Sequence, residues 1–337
     1  MSRHVIFLIH GMGQHAEGWS QPAIRVLAEA FKQALPGRGE LEEYFDLREL
    51  QYSDLFDSYW EQFDGNAETL RQIPLISGAA SLAGEITAYA ARQPDNSFLR
   101  THVGDILLYA SSHYNQLVPL ALNLQMLEAF QEVGHSSYSI IAHSLGTRVA
   151  HDLLQRTFTG EGAYQLAAKP KLFINCANVT RLMSFDDGEF GDGMVVYPSD
   201  SGTAGACTYY VNASHKLDPV AMVRRYEPKF RADPLYRAVF LEESDVTDIN
   251  VHDLGHYLRH PLVHAAIFNL TMADYVGQPA RVTEAKVAEL LAAYRQGTTY
   301  QQLKSRLAQI KQAGWTEEGS LRDVVDHLAK FFALIRS

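Results

Sequence analysis

Cysteine is almost missing from this chain: two residues, Cys176 and Cys207, in 337. Two thiols cannot build a disulfide framework, which removes the small stapled secreted folds from consideration. A single bridge stays open, since both fall on or near neighbouring strand-like segments; two buried thiols is the preferred reading. No apolar run approaches the roughly 20 residues that span a bilayer. Met1-Ser2-Arg3-His4 leads straight into a short strand-like run, with no apolar core of a secretion signal. A cytoplasmic location without a transmembrane segment is expected, and peripheral contact with a membrane stays open. Dense Lys/Arg runs are absent too, and the formal net charge is −10, so nucleic acid is not an expected partner. Internal repeats and low-complexity tracts are also lacking. What is plentiful is apolar: 47% hydrophobic against 20% charged residues, enough for a large core.

Two glycine-containing stretches stand out. Val5 to Ile9 is a continuous apolar run, as expected of a parallel strand covered on both faces, and it ends in His10-Gly11-Met12-Gly13. This is not a nucleotide-binding loop: the G-x-G-x-x-G spacing is missing and no Walker Lys-Ser/Thr follows. Further on, Ser139-Ile140-Ile141 reads as the end of a buried strand and Thr147 to Leu154 as the start of a helix with an apolar stripe. Between them lies Ala142-His143-Ser144-Leu145-Gly146, small-x-Ser-x-Gly, the pattern of a nucleophile elbow. A serine on a tight strand-to-helix turn projects its hydroxyl from the carboxyl edge of a sheet. Small residues two positions either side let backbone and helix approach closely. The helix N-terminus behind the serine favours negative charge in front of it. A five-residue match is weak alone, because an ordinary serine in a strand-helix loop also produces it. The strand before and the helix after give it weight.

Taken together, the His-Gly-x-Gly strand end and the serine elbow resemble the α/β-hydrolase superfamily over residues 3 to about 270. The resemblance implies an α/β fold, a mostly parallel sheet flanked by helices, with the superfamily's first two antiparallel strands absent. It implies an oxyanion hole from the N–H groups of Met12 and Leu145. It also implies a triad in the chain order serine, acid, histidine. A narrower likeness is to intracellular lipases of the phospholipase A1 and PGAP1-like type. These pair a His-Gly-x-Gly strand end with a Gly-Asp-(apolar)-Tyr segment and His-Ser-Leu-Gly, here His10 to Gly13, Gly104 to Tyr109 and His143 to Gly146.

The remaining elements suit one domain spanning residues 1–337. A helix is expected from Trp19 to Leu35, ended by Pro36-Gly37, then a strand from Phe45 to Tyr52. Residues 54–102 are an insertion with aromatics at helical spacing and a run of small residues; it reads either as a lid over the site or as packed helices without substrate contact. A helix from Leu117 to Val133 leads back to the elbow strand. Further strands are Lys171 to Cys176 and Thr208 to Ala213, with a loop from Asp186 to Gly205 between them. Residues 275–337 form a helical extension, its first helix capped by Thr283.

A serine hydroxyl needs a base within hydrogen-bond reach, and the base needs an orienting carboxylate. Asp218 follows a strand and precedes Pro219, which puts it at the carboxyl edge with the elbow. An Asp-Pro turn starter is the bland reading, and Asp186, Asp187, Asp192, Asp200, Asp245 and Asp248 compete. The base is sought after the last core strand, taken as Thr247 to Asn250. Four histidines follow, at 252, 256, 260 and 264. His256 is chosen, because Gly255 would bend the loop just before it and a helix from about Pro261 would anchor it; His252 is the second candidate. Histidines four apart on one helix can bind zinc, but Gly255 and Pro261 argue against one continuous helix and the H-E-x-x-H glutamate is missing. No metal and no other cofactor is expected. The function expected is hydrolysis of a carboxylic ester, small-molecule or lipid-like, through an acyl-enzyme on Ser144. A non-catalytic binding scaffold and an amidase or thioesterase with the same triad are the alternatives.

Overall fold

The computed structural model describes residues 3–56, 105, 109, 114–160, 166, 168–181, 193–202, 204–222, 225–248, 250–272 and 280–296. Six strands form one parallel sheet: β1 (His4–Ile9), β2 (Phe45–Leu50), β3 (Tyr138–His143), β4 (Leu172–Cys176), β5 (Tyr209–His215) and β6 (Tyr236–Leu241), in the order β2-β1-β3-β4-β5-β6. The fold is of the α/β type. No antiparallel pair occurs among these strands. The chain passes from β1 outward to β2, then returns to the other side of β1 as β3. That reversal makes a topological switch point at the carboxyl ends of β1 and β3, where parallel α/β sheets commonly bind ligands.

The central strands are buried along nearly their whole length because each has a helix layer on both faces. Along β1, Val5, Phe7 and Ile9 face one core with Ile140, Phe173 and Tyr210. Covering that face are α2 (Tyr114–Val133) through Val118, Leu122 and Met126, and α3 (Leu145–Thr159) through Val149 and Leu153. Ile6, Ile141, Ile174 and Val211 face the other core, under α1 (Gln21–Ala34) and α6 (Pro261–Met272). In α1 the buried residues Ala23, Leu27, Ala30, Phe31 and Ala34 lie on one helical stripe. Phe31 packs edge-on against Phe268 of α6, ring centres 5.2 Å apart; burying each ring is worth about 1.5–3 kcal/mol. A short α4 (Pro219–Met222) and α5 (Leu254–Arg259) lie after β5 and β6.

The extension begins as expected: Thr283 Oγ1 accepts the Lys286 N–H, and α7 (Glu284–Gln296) packs on the α1/α6 layer through Val287 and Leu290. The rest of the extension, most of the expected lid and part of the 186–205 loop lie outside the described residues. Phe56 is described, and it is buried between Tyr52 and Tyr114. Cys176 and Cys207 are both free and buried, and burial pushes their thiols up, so they are inert thiols rather than a bridge. Among the described residues no helix is long and apolar enough to cross a membrane.

One strand differs from expectation. Among the described residues the last strand is β6, Tyr236–Leu241, and Thr247, Asp248 and Asn250 lie outside any strand. β6 is an edge strand with Arg237 and Ala238 exposed, so it lacks the unbroken apolar run that marks β1.

Candidate active site

Ser144 stands between β3 and α3 with φ 52° and ψ −125°, a backbone conformation that a non-glycine residue adopts only when its surroundings impose it. Such strain costs about 1–3 kcal/mol and clusters at functional sites. Three contacts impose it here. The Ser144 N–H donates to the Cys176 carbonyl at 3.0 Å, its carbonyl accepts the Thr147 N–H at 2.9 Å, and Thr147 Oγ1 donates to it at 2.7 Å. Thr147 Oγ1 in turn accepts the Val179 N–H at 3.1 Å, which ties the elbow to the chain after β4. Just before Val179, Ala177 also has a positive φ, 54°.

The small residues of the two motifs are demanded by contact. A Cβ on Gly146 would stand 2.2 Å from the His10 carbonyl oxygen and 2.8 Å from that of Ile9. Gly146→Ala would force α3 away from β1 and should lower stability by about 1–3 kcal/mol, read as a fall in the urea midpoint without a change in slope. A Cβ on Gly11 would stand 2.7 Å from Ser144 Cβ and 3.2 Å from Ser144 Oγ. Gly11 therefore lies against the serine, and the Gly11–Met12 peptide runs beside it. Met12 follows in the turn after β1, and Leu145 is the first residue of α3, whose N–H has no carbonyl inside the helix to bond.

Asp218 lies just past β5 and is fully buried. Both of its carboxylate oxygens meet His252 Nδ1, at 3.0 and 2.9 Å. Tyr257 donates its hydroxyl to Oδ2 at 2.6 Å, and the Val220 N–H donates to Oδ1 at 3.0 Å. Burial alone would raise the Asp218 carboxyl, but His252, Tyr257 and the α4 backbone outweigh it and hold it below the usual carboxylate range. The carboxylate is ionised, so it accepts from Nδ1–H and leaves His252 Nε2 as the basic atom in the neutral ring.

The partner of Asp218 is thus His252 and not the expected His256. His256 sits in the first turn of α5, its Nδ1 3.3 Å from Thr247 Oγ1 and its ring 5.3 Å from that of His215. Burial, then the neighbouring imidazoles, push it down to about 3, so it is a neutral buried ring. Gly255 does not bend a loop ahead of it. Asp253 caps α5, its side chain accepting the His256 N–H, and Gly255 is inside the helix. The loop from β6 ends at His252, one residue before that cap. α5 and α6 are separate helices with His260 extended between them, and no cluster of three His, Cys, Asp or Glu side chains among the described residues could hold a metal.

His143, inside the elbow motif, was not foreseen as part of the site. Its Nε2 donates to the His252 carbonyl at 2.6 Å, and the two rings lie 4.8 Å apart. Burial, then the His252 ring, push His143 down to about 3, so it stays neutral with one donor. This bond brings the histidine-bearing loop to the elbow. Tyr257 was likewise hidden among the histidines that drew the eye. The Ser144 hydroxyl is buried and makes no hydrogen bond. No protein-family model matches the chain, and no curated protein is significantly similar to it.

Proposed function

We propose that the chain is a serine hydrolase acting on a carboxylic ester, with an α/β-hydrolase fold. The observation that carries this reading is a serine in a strained strand-to-helix turn at the sheet's switch point, together with a buried Asp218–His252 pair whose loop is tied to the elbow through His143. Ser144 Oγ attacks the acyl carbonyl carbon while His252 Nε2 takes its proton. Asp218 holds the Nδ1–H tautomer and stabilises the imidazolium. The carbonyl oxygen, now an oxyanion, receives the N–H groups of Met12 and Leu145 at the α3 N-terminus. The C–O bond to the alcohol breaks as His252 returns the proton to the leaving oxygen, and Ser144 keeps the acyl group. Water then repeats the two steps and frees the acid. The Ser144–His252 hydrogen bond forms as substrate enters; such bonds are commonly long in an empty site. The lipid-like substrate class rests on the likeness to intracellular lipases.

The unbonded Ser144 hydroxyl also favours a second reading, a non-catalytic scaffold that binds an ester or a lipid. A fluorophosphonate probe separates the two. Covalent labelling of the wild type and none of Ser144→Ala, alongside turnover of p-nitrophenyl esters by the wild type only, is the hydrolase result. An unlabelled wild type leaves the scaffold.

A further inference from the structure

Met12 lies between two glycines, and a backbone N–H there has no side chain of its own to hold it still. The structure holds it from outside, one peptide plane at a time. In the Gly11–Met12 plane, the Gly11 carbonyl accepts from His10 Nδ1 at 2.8 Å and from the Tyr52 hydroxyl at 3.0 Å; the same hydroxyl is 2.8 Å from the His10 carbonyl. A trans peptide points its N–H opposite to its carbonyl, so fixing Gly11 O aims the Met12 N–H. In the Met12–Gly13 plane, the Met12 carbonyl accepts from His15 Nε2 at 3.1 Å, and the Gly13 N–H donates to Asp105 Oδ2 at 2.7 Å. Gly13 has φ 96°, a conformation open to glycine and left free to drift without such a grip.

The donors are of fixed identity. His10 Nε2 accepts the Tyr52 N–H at 3.3 Å and the ring stacks on Tyr52 with centres 4.0 Å apart, so its hydrogen sits on Nδ1. Burial, then the Asp105 charge, push the Tyr52 phenol up, and it remains a donor. Asp105 is 92 residues from Gly13 in sequence and almost wholly buried.

We propose that Asp105 is a positioning residue of the oxyanion hole, with Tyr52 acting on the preceding peptide. It rests on the hydrolase reading of Ser144. The Asp105 side-chain oxygen fixes the Met12–Gly13 plane, so its contribution is orientation of the Met12 donor. Removing it leaves the donor present but mobile, which weakens transition-state binding and spares substrate binding.

The test compares Asp105→Asn, which keeps a neutral acceptor, with the near-isosteric Asp105→Leu, which keeps none. Turnover of p-nitrophenyl butyrate is expressed per serine titrated to completion with fluorophosphonate, so a fraction of unfolded protein does not enter. A fall in kcat of about 10-fold for Asn and about 100-fold for Leu is expected, approaching the loss of an oxyanion donor. KM should stay within about threefold, and affinity for phenylboronic acid, whose serine adduct is tetrahedral, should fall in step with kcat. Unchanged kcat and boronate affinity in Asp105→Leu would overturn the proposal while wild-type labelling keeps the hydrolase reading. A wild type without labelling or turnover removes both. Should neither Asp105 variant fold, Tyr52→Phe carries the test: a loss in kcat and boronate affinity of about threefold or more supports it, and no loss overturns it.

Discussion

His252→Ala should lower ester turnover by about 10⁴- to 10⁶-fold, while His256→Gln stays within about tenfold of the wild type. His252 is the imidazole on the buried Asp218 carboxylate, and its loop is tied to the elbow through His143. Without it the serine has no base. His256 instead faces Thr247 and His215 within the helix layer. Its own effect belongs to acid stability. Its pKa is near 6.5 when unfolded and about 3 when folded, so between those values the unfolded chain binds the extra proton. Stability from the neutral buried ring is full above about pH 6.5 and is lost as pH falls toward 3. His256→Gln should therefore flatten part of the fall in urea midpoint over that interval. The opposite pattern, with His256→Gln inactive and His252→Ala active, would return the base to His256.

The confusion between these two histidines shows where sequence reading stops. β1, β3 and β4 were legible because each carries an apolar run buried on both faces, Val5 to Ile9, Ile140 to Ala142 and Leu172 to Ile174, and because Gly146 and Gly11 are required by contacts that leave no room for a Cβ. The elbow serine was legible for the same reason. β6 was not, because this edge strand carries Arg237 and exposes it together with Ala238, which breaks the apolar run. A last strand at Thr247 to Asn250 starts the base-bearing loop at His252, whereas the observed loop after β6 ends there. Asp253 could have corrected it: an aspartate three residues ahead of His256 is a helix-cap signal, and a capped helix puts His256 in its first turn. The Gly-Asp-(apolar)-Tyr segment marks Asp105 without naming its partner, and Tyr52 and Tyr257 carry no local signal. Their contacts with Gly13, Gly11 and Asp218 join residues 92, 41 and 39 apart, and only the assembled sheet brings them together.

Asp218→Asn should leave the fold and the elbow in place but lower kcat by about 10⁴-fold, the size seen when a triad aspartate becomes asparagine elsewhere. The reason is which ring nitrogen carries the hydrogen. The carboxylate only accepts, so His252 must present Nδ1–H to it and Nε2 stays basic toward Ser144. An asparagine can turn its NH₂ toward Nδ1. The hydrogen then moves to Nε2, and the ring offers Ser144 a donor where a base is needed. The Val220 N–H can only donate, so it favours the amide oxygen at the Oδ1 position, while the Tyr257 hydroxyl can turn and accept; the NH₂ then falls on the Oδ2 side, where it meets His252 Nδ1. Turnover of Asp218→Asn near the wild-type value, with Asp186→Asn or Asp200→Asn inactive, would move the acid to the loop between β4 and β5. The histidine tautomer is read directly from the ¹⁵N shifts of His252 in the two proteins, independently of any substrate.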